Sequence, residues 1–167
     1  MTAEAESRML PLYEATMIRH DDHRWATDEP DGRIRDVTQA QKYDASFVVM
    51  PRYWIAEDEV ESRLAGRWDH PWLLGFRDIC RSTDERTMIN ASIPRSAVNH
   101  KLPLVLAEAN AGVLTALMSS MIFDYVARQK IGGTSMTYLL PQCAGSGTPT
   151  SMSWSTRWTS RQRRTTC

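Results

Sequence analysis

"WLLGFRDICRSTDERTMINASIP" (72–94) decides the fold class. Two apolar segments, "WLLGFRDIC" (72–80) and "TMINASIP" (87–94), flank a polar connection. Both are rich in the aromatic and branched residues that suit a pleated, packed surface, so they read as two strands. The connection and its edges carry Arg77, Asp78, Arg81, Asp84, Glu85 and Arg86, and Arg95 follows directly. So many guanidinium groups on one connection ask either for an anionic ligand or for pairing with their own carboxylates.

Working outward, "ASFVVMPRYWI" (45–55) reads as a further strand, with Pro51 marking an edge or a bulge. "AEDEVESRLAG" (56–66) is a short helix: acidic residues sit in its first turn, Arg63 near its end, and Gly66 at the stop. "LPLVLA" (102–107) is a third short apolar run. Beyond it, Leu114, Leu117, Met118, Met121, Ile122, Tyr125 and Val126 recur at the i, i+3, i+4 spacing of an amphipathic helix, with Gly132 and Gly133 to end it. This predicts one long helix over 107–131 whose apolar stripe is core or a packing face. "TSMTYLL" (134–140) begins another strand. The expected class is α+β, with short mixed strands and one long amphipathic helix.

At 167 residues the chain is long enough for one domain with a core and too short for two of ordinary size. Its three cysteines, Cys80, Cys143 and Cys167, form no CxxC pair, and "MTAEAESRML" has no apolar signal region. With no apolar run long enough for a bilayer, a cytoplasmic protein with no membrane partner is expected. Net charge is zero but uneven. The last 28 residues, from Leu140, contain four arginines and no acid, which leaves 16 basic and 20 acidic residues in 1–139. That body lacks the overall basic balance of a stand-alone nucleic-acid binder, so DNA contact there needs a local basic face. The sequence divides into a body, 1–139, and a tail, 140–167, expected to be unstructured. The tail is dense in Ser, Thr, Arg, Gly and Trp, without Asp, Glu or Lys. It reads either as a basic tail for nucleic acid or as a translated shifted frame. Its tryptophans and cysteines favour the second.

Four blocks then carry a resemblance: "LPLYEATMIRHDDHRWAT" (10–27), "VMPRYWIAEDEVESRL" (49–64), "WLLGFRDICRSTDERTMINASIPRSAVNHKLPLVL" (72–106) and "FDYVARQKIGGTSMTY" (123–138). In this order they resemble the C-terminal part of large type IIG restriction–modification enzymes and related adenine-specific DNA methyltransferases, which contains a Taq-type target-recognition domain. The resemblance covers nearly all of 10–138. It implies that 1–139 is a partial DNA-specificity domain, with double-stranded DNA as partner. Two departures stand out. The family's YEGKM-like stretch is here Tyr13 to Met17 without its lysine, and the family's aromatic strand and "KQLPV"-like segment have no counterpart from Leu139 on.

The catalytic apparatus implied by that resemblance has no counterpart in the sequence. There is no PP dipeptide for an (N/D)PPY loop and no Gly-rich strand–helix turn for S-adenosylmethionine. Lys42, Lys101 and Lys130 follow no D/E-x-K pattern of a nuclease. No catalytic residue, cofactor-binding residue or metal ligand is assigned, and S-adenosylmethionine belongs to the intact family enzyme. Residue types that read bases and grip phosphates are present instead. The candidates for DNA contact are Arg77, Arg81, Thr83, Arg86, Asn90, Arg95, Lys101, Arg128 and Lys130. Each arginine of the 77–95 stretch is open to base contact, phosphate contact, or pairing with Asp78, Asp84 and Glu85. Helix capping is the competing role for "ARQKIGGT" (127–134). His100 reads as a turn residue and Cys80 as a buried small hydrophobe. "RHDDHR" (19–24) lacks the second Cys/His cluster that zinc would need, and its Asp22–His23–Arg24 matches a family "DHR".

The expected function is target recognition by a fragment of such an enzyme. A rival is an interaction module whose 107–131 helix docks on a separate methyltransferase catalytic domain or chain. A third reading, a non-functional truncated gene product, predicts little soluble protein.

Overall fold

Residues 72–76 are apolar at every position, and the fold uses both of their faces. Leu73 points into one hydrophobic cluster, while Leu74 and Phe76 point into another. The alternation is the period of two of a strand, and it explains why the run shows no polar side. The computed structural model describes residues 7–107, 110–131 and 133–136, together with the backbone of 153–154. In chain order the first elements are β1 (Met9–Tyr13), β2 (Ala26–Asp28), β3 (Ile34–Asp36), α1 (Gln39–Tyr43), β4 (Trp54–Ala56) and α2 (Glu57–Leu64). They are followed by β5 (Trp72–Phe76), β6 (Asn90–Pro94), β7 (Ala97–Val98), β8 (Leu104–Leu106), α3 (Ala111–Ser119), α4 (Met121–Lys130) and β9 (Ser153–Trp154). The class is α+β.

Among the described residues three sheets are formed. β6, β5, β8 and β9 lie side by side, antiparallel throughout, with Trp72 opposite Pro94 and Phe76 opposite Asn90. β1 pairs antiparallel with β4 through its first half and parallel with β7 through its second. β2 and β3 form a hairpin whose turn holds Gly32 at φ +81°, a backbone region that favours glycine. The larger cluster joins Leu10, Leu12 and Tyr13 of β1 to Val60 and Leu64 of α2, and to Leu73, Ile93, Leu104 and Leu106 of the main sheet. The second cluster lies on the other face, where Leu74, Phe76, Met88 and Val105 meet Met118, Ala127 and Met136.

The helix expected at 56–66 forms over Glu57–Leu64. Three acids fill its first turn, and Val60 and Leu64 turn inward one helical turn apart. Gly66, at φ +67°, ends it. The expected strands shorten to 72–76, 90–94 and 104–106. The strand expected over 45–55 is corrected: ladder pairing is confined to Trp54–Ala56. Upstream of that, Pro51 has no N–H to give. Met50 and Tyr53 instead make isolated bonds: Met50 N donates to Thr27 Oγ1, the Met50 carbonyl accepts from the Asp28 amide, and the Tyr53 carbonyl accepts from the Leu12 amide.

The single long helix over 107–131 is also corrected. Ser120 is extended (φ −71°, ψ 148°) and separates α3 from α4. In a continuous helix the Ser119 carbonyl would accept from the Phe123 amide. Here Arg86 Nη2 donates to that carbonyl (2.8 Å), and Phe123 N donates to Ser120 Oγ (3.1 Å). A serine hydroxyl competing for backbone partners thus starts a new helix. Of the two roles expected for the stripe, core is corrected with it: Met118 is buried, but Leu117, Met121, Ile122, Tyr125 and Val126 face outward, Met121 and Ile122 being 76% and 78% exposed. α4 buries Asp124 and Ala127 instead. Among the described residues no helix is long and apolar enough to cross a membrane.

Candidate functional site

The connection between β5 and β6 is fixed by groups from outside it. Asp124 of α4 is buried, and its Oδ1 accepts from the amides of Thr87 (2.8 Å) and Met88 (2.7 Å). Its Oδ2 accepts from Arg128 (3.2 Å), whose guanidinium also donates to the carbonyls of Ser82 (2.9 Å) and Glu85 (3.1 Å). The turn closes on itself through the Arg81 amide, which donates to Asp84 Oδ2 (3.1 Å). A turn held this way keeps its backbone in place without packing its tip. Arg81, Ser82, Thr83, Asp84 and Glu85 are all exposed, and among the described residues the side chains of Arg81 and Thr83 have no hydrogen-bond partner.

Beside the turn lies a cleft of about 540 Å³ lined by Arg19, His20, Asp22, Trp25, Arg77, Asp84, Glu85, Arg86 and Ile89. The segment after β1 supplies one wall. Arg19 and Asp22 exchange backbone hydrogen bonds across a tight turn in which Asp21 has φ +54°. Arg24 anchors that wall by donating to the carbonyls of Lys42, Asp44 and Phe47. Trp25 has the Arg19 guanidinium 4.7 Å and the Lys42 ammonium 4.6 Å from its ring centre. Asp22 Oδ2 accepts from Lys42 at 2.6 Å. Partial burial raises the Asp22 carboxyl's pKa, but the Lys42 bond and the Arg24 amide more than offset this and hold it below the usual range. His23, half-buried and beside Arg24, has its pKa lowered by that burial first and by the neighbouring cation second.

Beneath the cleft is a polar knot. Arg86 Nη2 lies 2.6 Å from His20 Nε2, and Ser119 Oγ joins Asn90 Nδ2 (3.0 Å) to Asp21 Oδ1 (2.7 Å). His20 Nδ1, Arg86 Nη1 and Asn90 Oδ1 are buried without a protein partner among the described residues.

The nine candidates therefore have different placements. Arg77 and Arg86 line the cleft, Arg81 and Thr83 form the tip of the turn, and Arg128 is the clamp beneath it. Asn90 is wholly buried in the knot. Arg95 lies at the other end of β6, where it grips Glu61 bidentately (2.7 and 2.8 Å) and donates to the carbonyls of Trp68 and His70. Lys101 is half-buried, its carbonyl accepting from the Asp78 amide next to Arg77. Lys130 is exposed at the end of α4. The sequence reading missed Arg19 and Trp25 as cleft residues. "RHDDHRW" (19–25) was the available signal, an aromatic directly after a run of cations and carboxylates. Among the described residues no group of three or more His, Cys, Asp or Glu side chains is placed to hold a metal ion. Cys80 is buried, and that burial first, with Asp84, Asp78 and Asp124 nearby, pushes its thiol up to about 11.

No protein-family model, curated protein or solved structure matches this chain.

Proposed function

We infer that the chain is a DNA target-recognition fragment, as its resemblance to the specificity region of type IIG adenine methyltransferases implies. The observation that carries the reading is the clamped turn at 81–86. Asp124 and Arg128 spend their hydrogen bonds on its backbone, so the tip presents Arg81 and Thr83 outward from a preset frame. Preset donors lose little freedom on binding, and an exposed arginine suits either guanine or phosphate. Sequence selection would be this chain's part, and methyl transfer from S-adenosylmethionine the part of a catalytic domain elsewhere.

Titration of a fluorescein-labelled DNA duplex with the full chain tests this. Binding in the range of about 10⁻⁴ to 10⁻⁶ M, weakening steeply with salt, is expected. Arg81→Ala combined with Thr83→Ala should weaken it without altering the thermal melt. Absence of any duplex binding at low salt would refute the reading.

One observation favours a second reading, a docking module for a catalytic chain. Leu117, Met121, Ile122, Tyr125 and Val126 form an outward apolar face on α3 and α4, of the kind that marks interaction surfaces. A docking module loses its partner on Leu117→Asp or Met121→Asp and is indifferent to Arg81→Ala.

A further inference from the structure

The cations around the cleft differ in how well they are neutralised. Lys42 is paired with Asp22, whereas Arg86 is fixed in place through Nη2 by His20 and the Ser119 carbonyl without a carboxylate among the described residues, its Nη1 buried and unpartnered. Arg77 donates through Nε to the Ala15 carbonyl (2.8 Å) and has no carboxylate within ion-pair distance among the described residues. Arg19, beside Trp25, has among the described residues only Glu85 as a carboxylate partner, at 3.4 Å, and the two side chains are 42% and 85% exposed. Such an ion pair is weak and replaceable. Arg19 and Arg77 are also close enough to repel. Burial first and the Arg19 charge second lower the pKa of Arg77, and Asp84 compensates in part. Two guanidiniums of like charge, half-withdrawn from water around an open cleft, are stabilised most by one anion that both can grip. A phosphodiester matches, because its two free oxygens accept forked hydrogen bonds and its single charge tolerates the rim carboxylates Asp84 and Glu85. The cleft, at about 540 Å³, has room for a nucleotide-sized unit, and it opens beside the turn that carries Arg81.

We propose that this cleft seats one DNA backbone phosphate between Arg19 and Arg77, and that Glu85 is the internal carboxylate the phosphate displaces. The assignment rests on the DNA-recognition reading and extends it to residues of the 19–25 segment. Glu85 then acts as a built-in competitor, weakening association with anything that does not offer a better anion.

The test uses the full chain, a labelled DNA duplex and a salt series, with wild type, Glu85→Gln, Arg19→Ala and Arg19→Lys. Glu85→Gln should tighten duplex binding by about two- to fivefold, because it removes a competing charge and leaves the fold alone. Arg19→Ala should weaken binding and reduce the slope of log affinity against log salt by about one, with Arg19→Lys restoring the slope. If wild type binds the duplex but Glu85→Gln and Arg19→Ala match it in affinity and slope, the seat is overturned and the DNA reading stands. If wild type binds no duplex, the reading falls and the seat with it. Arg19-dependent calorimetric binding of inorganic phosphate without duplex binding would likewise overturn the proposal, assigning the cleft to a free phosphate. Should Arg19→Ala fail to fold, Glu85→Gln decides alone, since Glu85 is exposed.

Discussion

Replacing Asp124 with alanine should unfasten α4 from the β5–β6 connection. The carboxylate is buried and holds two buried amides, those of Thr87 and Met88, at 2.8 and 2.7 Å, as well as Arg128 at 3.2 Å. A buried donor left without an acceptor costs about 1–3 kcal/mol, and two amides are orphaned here, while Arg128, 30% exposed and still donating to two carbonyls, is not left as a buried unpaired charge. The expected loss is therefore about 2–5 kcal/mol, a large share of the roughly 5–15 kcal/mol of a domain. Urea unfolding followed by circular dichroism reads it as a lower midpoint at unchanged slope. Asp124→Asn keeps one acceptor for the amides but turns its NH₂ toward Arg128, so it should lose less. Amide exchange at Thr87 and Met88 should accelerate most. A loss below about 1 kcal/mol in the alanine variant would refute the argument that these bonds fasten the turn.

Three further outcomes follow from the geometry. Leu117→Asp and Met121→Asp should change stability by less than about 0.5 kcal/mol in the urea assay, because these side chains are already in solvent. Gly75→Ala should cost about 1–3 kcal/mol, since a Cβ there would stand 3.1 Å from Leu102 Cδ1 and 3.2 Å from Cγ in the core. Burial pushes the Tyr13 phenol up to about 12, with Arg24 pulling the other way. A proton held more tightly in the fold than in the unfolded chain stabilises below pH 10 and is lost as pH rises through 12. Spectrophotometric titration should therefore find one tyrosine ionising only as stability falls across that window.

What the sequence made legible was local. Strands β5, β6 and β8 and helix α2 follow from short apolar runs and end signals that need no knowledge of neighbours. The 107–131 helix failed because periodicity reports a stripe without saying which side faces the core. Asp124, on the face the pattern marked polar, is drawn inward by two amides 36 and 37 residues earlier in the chain. The pair Ser119–Ser120 followed by Asp124 was a start signal inside the helical pattern, and it was outweighed by the apolar repeat. The same limit applied to the arginines. Residue type identifies what a guanidinium can grip, but Arg95 meets Glu61 and Arg128 meets the turn only after distant segments converge. Arg19 and Trp25 belong to the cleft because β1 delivers them there, a long-range placement that no spacing encodes.

That placement has a consequence for how the chain assembles during synthesis. β1 is used twice: Met9–Pro11 against β4, some 45 residues later, and Leu12–Tyr13 against β7, 85 residues later. The first half can zip early, but the second must wait for Ala97 and Val98 to leave the ribosome. At about 5–20 residues per second that interval is roughly 4–17 s. Meanwhile β5 and β6 are near neighbours in sequence and can pair as soon as both emerge. The order of assembly is therefore built into the register. The wall carrying Arg19 and Trp25 can close on β7 only once β5 and β6 have emerged, and the clamp on the arginine-bearing connection comes later still, when Asp124 and Arg128 of α4 reach it.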